Sequence, residues 1–312
     1  MNIVFLDWLT MGLDISHTEL ATLGNFEVYL TTNSDQRYER IKDADIVITK
    51  KVILDQPLLE KCPKLRLICL ANTGMNNIDL QYTKERGISV INVADYCTEI
   101  VAQHTFAMLF WLLENLEYYN SYVKSGSYIQ SPIHTHLDRT FWELSGKRWG
   151  VIGLGNIGKQ VATIAKAFGC EVVYFSTSGL NNNVDYQKLS LSELLLTSDI
   201  ISIHASLNEK TMNLLNYDRL KMMKSSAYLI NVARGNIVNE AALVKALNEN
   251  RLAGAGLDVL SVEPLKSDNP LLAINNKEKL LITPHIAWAS IEARNRLVKR
   301  VAQNIRNFLK DD

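Results

Sequence analysis

Three glycines carry the first chemistry legible in this chain. In WGVIGLGNIGKQVATIAKAFG (residues 149–169), Gly153, Gly155 and Gly158 are spaced G-x-G-x-x-G. An apolar strand pattern (Val151, Ile152) precedes them, and a helix pattern with Ile157, Val161, Ile164 and Ala165 on one face follows. That context is what the motif needs to mean anything. Gly153 permits a tight turn, Gly155 lets backbone approach a pyrophosphate, and Gly158 lets helix and strand pack closely. The helix N-terminus then offers free N–H groups and a positive dipole end to phosphates, and Gly169 supplies a C-cap. The pattern predicts a bound dinucleotide.

The strand that follows, EVVYFSTSG (171–179), leaves the choice of dinucleotide open. An acid at its end would hold the adenosine ribose, and an Arg would hold a 2′-phosphate. The positions are Ser176, Thr177 and Ser178, which do neither. No Arg or Lys lies between Ser176 and Val184, so the loop lacks a counter-charge unless a distant residue such as Lys188 folds back. Nothing there repels a 2′-phosphate either. The expectation is weak discrimination, with NADPH accepted at least comparably to NADH.

These residues need a scaffold, and the rest of the chain reads as one. The 312 residues suit about two domains. Strand-like runs at Ile3–Leu6, Val28–Thr31, Ile46–Thr49, Leu65–Ala71 and Ile88–Val93 alternate with helix-like segments such as Gln56–Lys61. The alternation restarts near residue 148, with Trp149–Ile152, Glu171–Phe175, Ile200–His204, Ala227–Val232, Ala255–Val259 and Leu280–Thr283. Runs apolar on both faces predict α/β architecture with parallel sheets covered by helices. Between the two sets an apolar helix is expected over Glu99–Glu117, then an aromatic stretch without clear period (118–146), read as a packed arm. A terminal helix is expected over Ser290–Leu309. Lys+Arg and Asp+Glu each number 33, which argues against a nucleic-acid track or an anionic membrane surface. The longest apolar stretch, Thr105–Leu113, is too short to span a bilayer. Cys62, Cys69, Cys97 and Cys170 show neither CxxC nor metal-ligand spacing, so they read as reduced, cytoplasmic thiols, with no metal expected.

Three further segments, NVARGNIVNE (231–240), GLDVLSVEP (256–264) and TPHIAWAS (283–290), stand in order behind the glycine loop. With them the chain resembles the D-isomer-specific 2-hydroxyacid dehydrogenases. ANTGMNNIDL (71–80) and VAQHTFAMLF (101–110) are most similar to the glycerate dehydrogenase/hydroxypyruvate reductase branch. The resemblance implies two doubly wound parallel-sheet domains, flavodoxin-like and Rossmann-like, with a cleft between them. Residues 1–99 plus 287–312 would be the substrate domain, and residues 100–286 the dinucleotide-binding domain. It also implies a homodimer in which the 118–146 arm packs on a second subunit.

By the same resemblance Arg234, Glu263 and His285 are the catalytic set for reducing a 2-keto acid. A planar guanidinium can hold a carboxylate bidentately and polarise the adjacent carbonyl. An imidazole can give the carbonyl oxygen its proton and take it back in oxidation. Glu263 would favour the imidazolium. Thr73, Gly74 and Met75 would bind the substrate carboxylate through backbone N–H groups, with Thr73 near the nicotinamide, and Trp288 would shape the pocket or pack in the core. Asn156 and Ile157 would touch the pyrophosphate, His204, Ala205 and Ser206 would lie under the adenosine, and Val232 and Ala233 would line the cofactor site. Asp258 would orient the carboxamide. Ser206 departs from the family, which has Pro there.

The expected activity is hydride transfer between NAD(P)H and a small 2-keto acid such as hydroxypyruvate or glyoxylate, giving the D-2-hydroxy acid. One alternative is a formate or phosphite dehydrogenase relative, although formate relatives pair their His with Gln. The other is a dinucleotide-sensing, corepressor-like binding protein without physiological turnover.

Overall fold

The structure, a computed structural model, describes residues 1–310. The chain divides into two compact units, residues 1–97 with the stretch from Ala289 onward, and Thr98–Trp288. Among the described residues, no helix is long and apolar enough to cross a membrane.

The first unit is built on five parallel strands, β1 (Asn2–Phe5), β2 (Asn25–Val28), β3 (Ile46–Thr49), β4 (Leu67–Leu70) and β5 (Ser89–Ile91), in the order β2-β1-β3-β4-β5. This is the flavodoxin-like winding. The central strands bury both faces, with Val4, Val47, Ile68 and Leu70 on one side and Ile46, Ile48, Leu67 and Cys69 alternating with them. The C-terminal helix Ile291–Lys310 buries Ala293, Leu297, Val298, Val301, Ala302 and Ile305, one stripe at helical spacing. β2 starts three residues before the expected run. It is an edge strand paired only with β1, so Asn25 and Glu27 can face solvent inside it.

The second unit holds seven parallel strands: β6 (Arg148–Ile152), β7 (Glu171–Phe175), β8 (Gln187–Lys188), β9 (Ile200–Ile203), β10 (Tyr228–Asn231), β11 (Gly254–Leu257) and β12 (Leu280–Ile282). Their order is β12-β11-β10-β9-β6-β7-β8, so the winding reverses between β6 and β9. Ligands of such sheets bind outside the carboxyl ends of the strands at that switch point. Alternate residues feed two cores. Trp149, Val151, Tyr174 and Ile230 pack under helices α1 (Thr98–Leu113) and α3 (Asn156–Ala167). Ile152, Val173, Ile201, Leu229 and Leu257 face the other way.

The expected helix over 99–117 is interrupted. Asn115 takes a left-handed conformation (φ 53°), and α2 (Leu116–Lys124) starts after it. Asn tolerates that region better than most residues, so the break was written into the sequence. The arm is more ordered than its lack of period suggests, because its aromatics pack on one another. Tyr122 stacks on His136 with ring centroids 3.7 Å apart, Tyr118 Oη meets His136 Nε2 at 2.8 Å, and Tyr119 Oη donates to Arg139 O at 2.7 Å.

Candidate active site

The glycine loop leaves β6 and enters α3. Gly153 sits at φ +91°, a conformation costly for any side chain, and a Cβ there would meet the Ala205 backbone at 2.9 Å. The turn after β6 therefore touches the turn after β9, which places His204, Ala205 and Ser206 beside it. At Gly158 a Cβ would fall 2.2 Å from Gly153 O, so this glycine is required by packing. Gly155 differs: nothing lies within 4 Å of where its Cβ would be. That space is open among the described residues, and the N-cap of α3 is Gly155, which has no side chain to cap the helix whose first residues are Asn156 and Ile157. An open approach to an uncapped helix N-terminus suits a pyrophosphate.

This contrast yields a prediction. Gly158→Ala should lower unfolding stability by about 1–3 kcal/mol through overpacking. Gly155→Ala, at φ −78°, should stay within about 0.5 kcal/mol of the parent. Denaturant unfolding of both variants measures the difference, and equal losses would contradict it.

His204 is fixed by a chain of hydrogen bonds. Trp149 Nε1 donates to Ser202 Oγ at 2.8 Å, and Ser202 Oγ meets His204 Nε2 at 2.9 Å. With its oxygen accepting from Trp149, the Ser202 hydroxyl can donate to Nε2 and leave the proton on Nδ1, which is buried without a protein partner. Burial pushes the imidazole down to about 3, so the ring is neutral at physiological pH.

The loop after β7 departs from the sequence expectation at Ser176 and takes the alternative left open for Lys188. Ser176 is buried, at 6% exposure, and its Oγ accepts from Asn181 N at 3.2 Å, so Thr177 and Ser178 are the hydroxyls nearer the surface. The loop also has its cation. Lys188, from the short edge strand β8, folds back and donates to Gly179 O at 3.1 Å and Asn182 Oδ1 at 2.9 Å.

Arg234, Glu263 and His285 lie in segments that follow β10, β11 and β12, all at one edge of the sheet. Val232 and Ala233 form the turn after β10, shaped by the buried Asn231. Asn231 Oδ1 accepts from Ala233 N at 3.1 Å, and its Nδ2 donates to Arg234 O at 3.0 Å. The Arg234 guanidinium donates to Ala233 O at 2.7 Å and makes no ion pair among the described residues. Its charge is therefore available to an anion. Gly235 presses on the next loop, where a Cβ would fall 1.9 Å from Leu260 C.

Glu263 is held at one oxygen and used at the other. Oε1 accepts from Leu260 N at 3.0 Å, while Oε2 meets His285 Nδ1 at 2.7 Å. Nδ1–H is thereby committed to Glu263, and Nε2 has no hydrogen-bond partner among the described residues. His285 itself sits at φ 56°, a strained conformation for a side-chain-bearing residue. Three contacts hold it there: His285 N donates to Asp258 O at 2.8 Å and to Thr283 O at 3.0 Å, and Trp288 Nε1 donates to His285 O at 2.9 Å. Trp288 is thus tied to the histidine's own backbone.

Asp258, 1% exposed, stitches the same turn together. It accepts from Thr283 Oγ1 at 2.6 Å, Ile286 N at 2.8 Å and Ala287 N at 2.9 Å, with His104 Nε2 3.7 Å away. Three supports escaped the sequence reading: Asn231, His104 and Glu240. Glu240 is buried and accepts from Ser261 N, Ser261 Oγ and Asn269 Nδ2, bracing the loop that carries Glu263. Each sits inside or beside a recognised motif, and that was the available signal.

In the first unit, Thr73, Gly74 and Met75 follow β4. Thr73 Oγ1 donates to Val93 O at 3.0 Å, and Asn92 Nδ2 donates to Thr73 O at 2.6 Å. The N–H groups of Gly74 and Met75 have no partner among the described residues.

Comparison with known proteins agrees with this construction. Residues 106–287 match the family model described as "D-isomer specific 2-hydroxyacid dehydrogenase, NAD binding domain". A hydroxypyruvate reductase of Blautia hydrogenotrophica is 37% identical, over 99% of this chain and 97% of its own. Among solved structures, an acyclic imino acid reductase in complex with NADPH and D-Arg is 31% identical with a TM-score of 0.88, covering 100% of this chain and 98% of its own. A D-lactate dehydrogenase from Aquifex aeolicus, complexed with NAD and lactic acid, is 30% identical with a TM-score of 0.88, covering 100% and 96%.

Proposed function

Since the chain belongs to the D-isomer specific 2-hydroxyacid dehydrogenase family, we propose that it reduces hydroxypyruvate or glyoxylate to the D-2-hydroxy acid. The observation that carries this reading is the 2.7 Å pair of Glu263 Oε2 and His285 Nδ1, in the same sheet-edge cluster as Arg234, which has no ion pair among the described residues.

Bound NAD(P)H supplies the hydride that the carbonyl carbon accepts. Arg234 holds the substrate carboxylate with its planar fork and draws electron density from the neighbouring carbonyl. His285 Nε2 gives its proton to the carbonyl oxygen as the C–O π bond breaks, leaving a neutral ring still bonded to Glu263. Asp258 and Trp288 keep the His285 backbone in its left-handed turn. The N–H groups of Gly74 and Met75, without a partner among the described residues, are proposed by themselves as an anion hold in the first unit. The open face at Gly155, with Asn156 and Ile157, is the proposed pyrophosphate seat, and His204, Ala205 and Ser206 serve the adenosine half. In this reading residues 1–99 with 287–312 serve substrate, and residues 100–286 serve the dinucleotide.

A panel of 2-keto acids, with NADH and NADPH oxidation followed by absorbance, tests the proposal. Turnover fastest on hydroxypyruvate or glyoxylate supports it. Dinucleotide binding without turnover on any keto acid would favour a sensing protein instead.

The same proposal extends to assembly and compartment. The arm exposes Ile129, Ile133, Leu137 and Phe141, which are 81%, 60%, 76% and 55% accessible. Large apolar side chains exposed along one segment point to an interaction surface, and a second copy of the chain is the proposed occupant. Sedimentation should give a dimer at micromolar concentration; a monomer would refute it. Four buried, unpaired cysteines support a reducing, cytoplasmic location.

A further inference from the structure

We propose that Lys188 is the residue that recognises the 2′-phosphate of NADPH, making this chain a binder that favours the phosphorylated dinucleotide. The inference rests on the dehydrogenase reading above.

The loop from Ser176 to Asn183 is fastened to the phosphate-binding turn itself. Asn181 Nδ2 donates to Leu154 O at 2.6 Å, inside the glycine loop, and Asn181 N is held by Ser176 Oγ. A second clasp joins the loop to β7: Asn183 N donates to Tyr174 Oη at 2.9 Å. The loop is therefore a fixed rim beside the open face at Gly155. In this fold the adenosine ribose is read at that place, the end of the second strand of the nucleotide-binding sheet.

Three groups on the rim suit a phosphate. The Lys188 ammonium has three donors. Two are spent on Gly179 O and Asn182 Oδ1, both uncharged, so the third donor and the whole positive charge remain. Lys188 makes no ion pair among the described residues. The Ser178 hydroxyl accepts from Leu180 N at 3.2 Å, which leaves its hydrogen to donate. Thr177 Oγ1 has no hydrogen-bond partner among the described residues. No carboxylate stands between Ser176 and Val184; Asp185, beyond them, is tied to the loop by its N–H, which donates to Asn183 Oδ1 at 2.8 Å. A dianionic phosphate gains a charge-assisted contact here that a 2′-hydroxyl does not.

The position of Lys188 explains why the strand-end rule alone does not point to it. Tyr174 pairs with Lys188 across the sheet. The cation reaches the loop from a neighbouring strand instead of following β7 in the chain.

Dissociation constants of NADH and NADPH, read from nicotinamide fluorescence, test the assignment in the wild type and in Lys188→Gln and Lys188→Arg. Adenosine 2′,5′-bisphosphate and 5′-ADP serve as competing probes without a nicotinamide. The wild type should bind NADPH more tightly than NADH, and equal binding or a preference for NADH would overturn the proposal. Lys188→Gln can still donate to Gly179 O but has no charge, and the NADPH/NADH affinity ratio should fall about tenfold or more. Lys188→Arg should keep the ratio within a few-fold. The wild-type ratio should also shrink with rising salt, since a surface charge contact is screened. A ratio that Lys188→Gln leaves unchanged, including the case where both ligands weaken together, overturns the proposal while leaving the dehydrogenase reading intact. A wild type that binds neither dinucleotide overturns both.

Discussion

Replacing His285 by Ala or Asn should cost about 10²–10⁴-fold in turnover, the usual share of a general acid, while NAD(P)H still binds. Asn is the more telling variant. His285 occupies a left-handed backbone position, which Asn adopts with less strain than Ala. The turn built by Asp258 and Trp288 should then survive, with only the proton donor removed. Circular dichroism and dinucleotide titration confirm an intact protein, and initial rates report the loss. Near-normal turnover in a folded His285→Asn would remove His285 from the mechanism. Glu263→Gln provides the coupling test. Glu263 acts through the 2.7 Å bond to Nδ1, so its effect should largely disappear once His285 is gone. Losses that multiply in the double variant would mean the two residues act independently.

The second large effect belongs to Arg234. Arg234→Met should lower kcat/KM for the keto acid by at least about a hundredfold. A charge-assisted hydrogen bond contributes about 1.5–3 kcal/mol and the fork offers two, while each 1.36 kcal/mol is about tenfold in rate. Arg234→Lys should recover only part of the loss, because a point charge cannot reproduce the planar bidentate geometry. The guanidinium's hydrogen bond within the chain is to Ala233 O, so the effect should appear in kinetics and not in unfolding stability. A variant that loses stability but keeps kcat/KM would show a structural arginine.

The fold class was legible before any coordinates, and the family resemblance singled out the residues proposed here as the catalytic set. Continuous apolar runs that bury both faces dictate parallel sheets under helices. β1, β3, β4 and most of β6–β12 lie where those runs lie. The exceptions share a cause. β2 and β8 are edge strands whose residues alternate between exposed and half-buried or are fully exposed, so burial imposes no apolar pattern on them and the strand signal is lost, whereas the edge strands β5 and β12 are half-buried or better and kept it. The arm's aromatics showed no period because they pack on each other around His136 and not along a helix face.

Within the site, the sequence by itself determined residue types and order: the glycines, Arg234, Glu263 and His285. Turn sterics single out the glycines, whereas Arg234, Glu263 and His285 stand out through the order of motifs that the chain shares with its family. The tertiary structure decided which partners meet. It gave Asp258 three donors from the 283–287 turn, turned Ser176 inward onto Asn181, and brought Lys188 to a loop it follows by several residues. Contacts of that kind depend on strand register and on the path of a folded loop. A hydrogen bond needs its atoms within about 3 Å, a condition that only packing of the whole sheet can set.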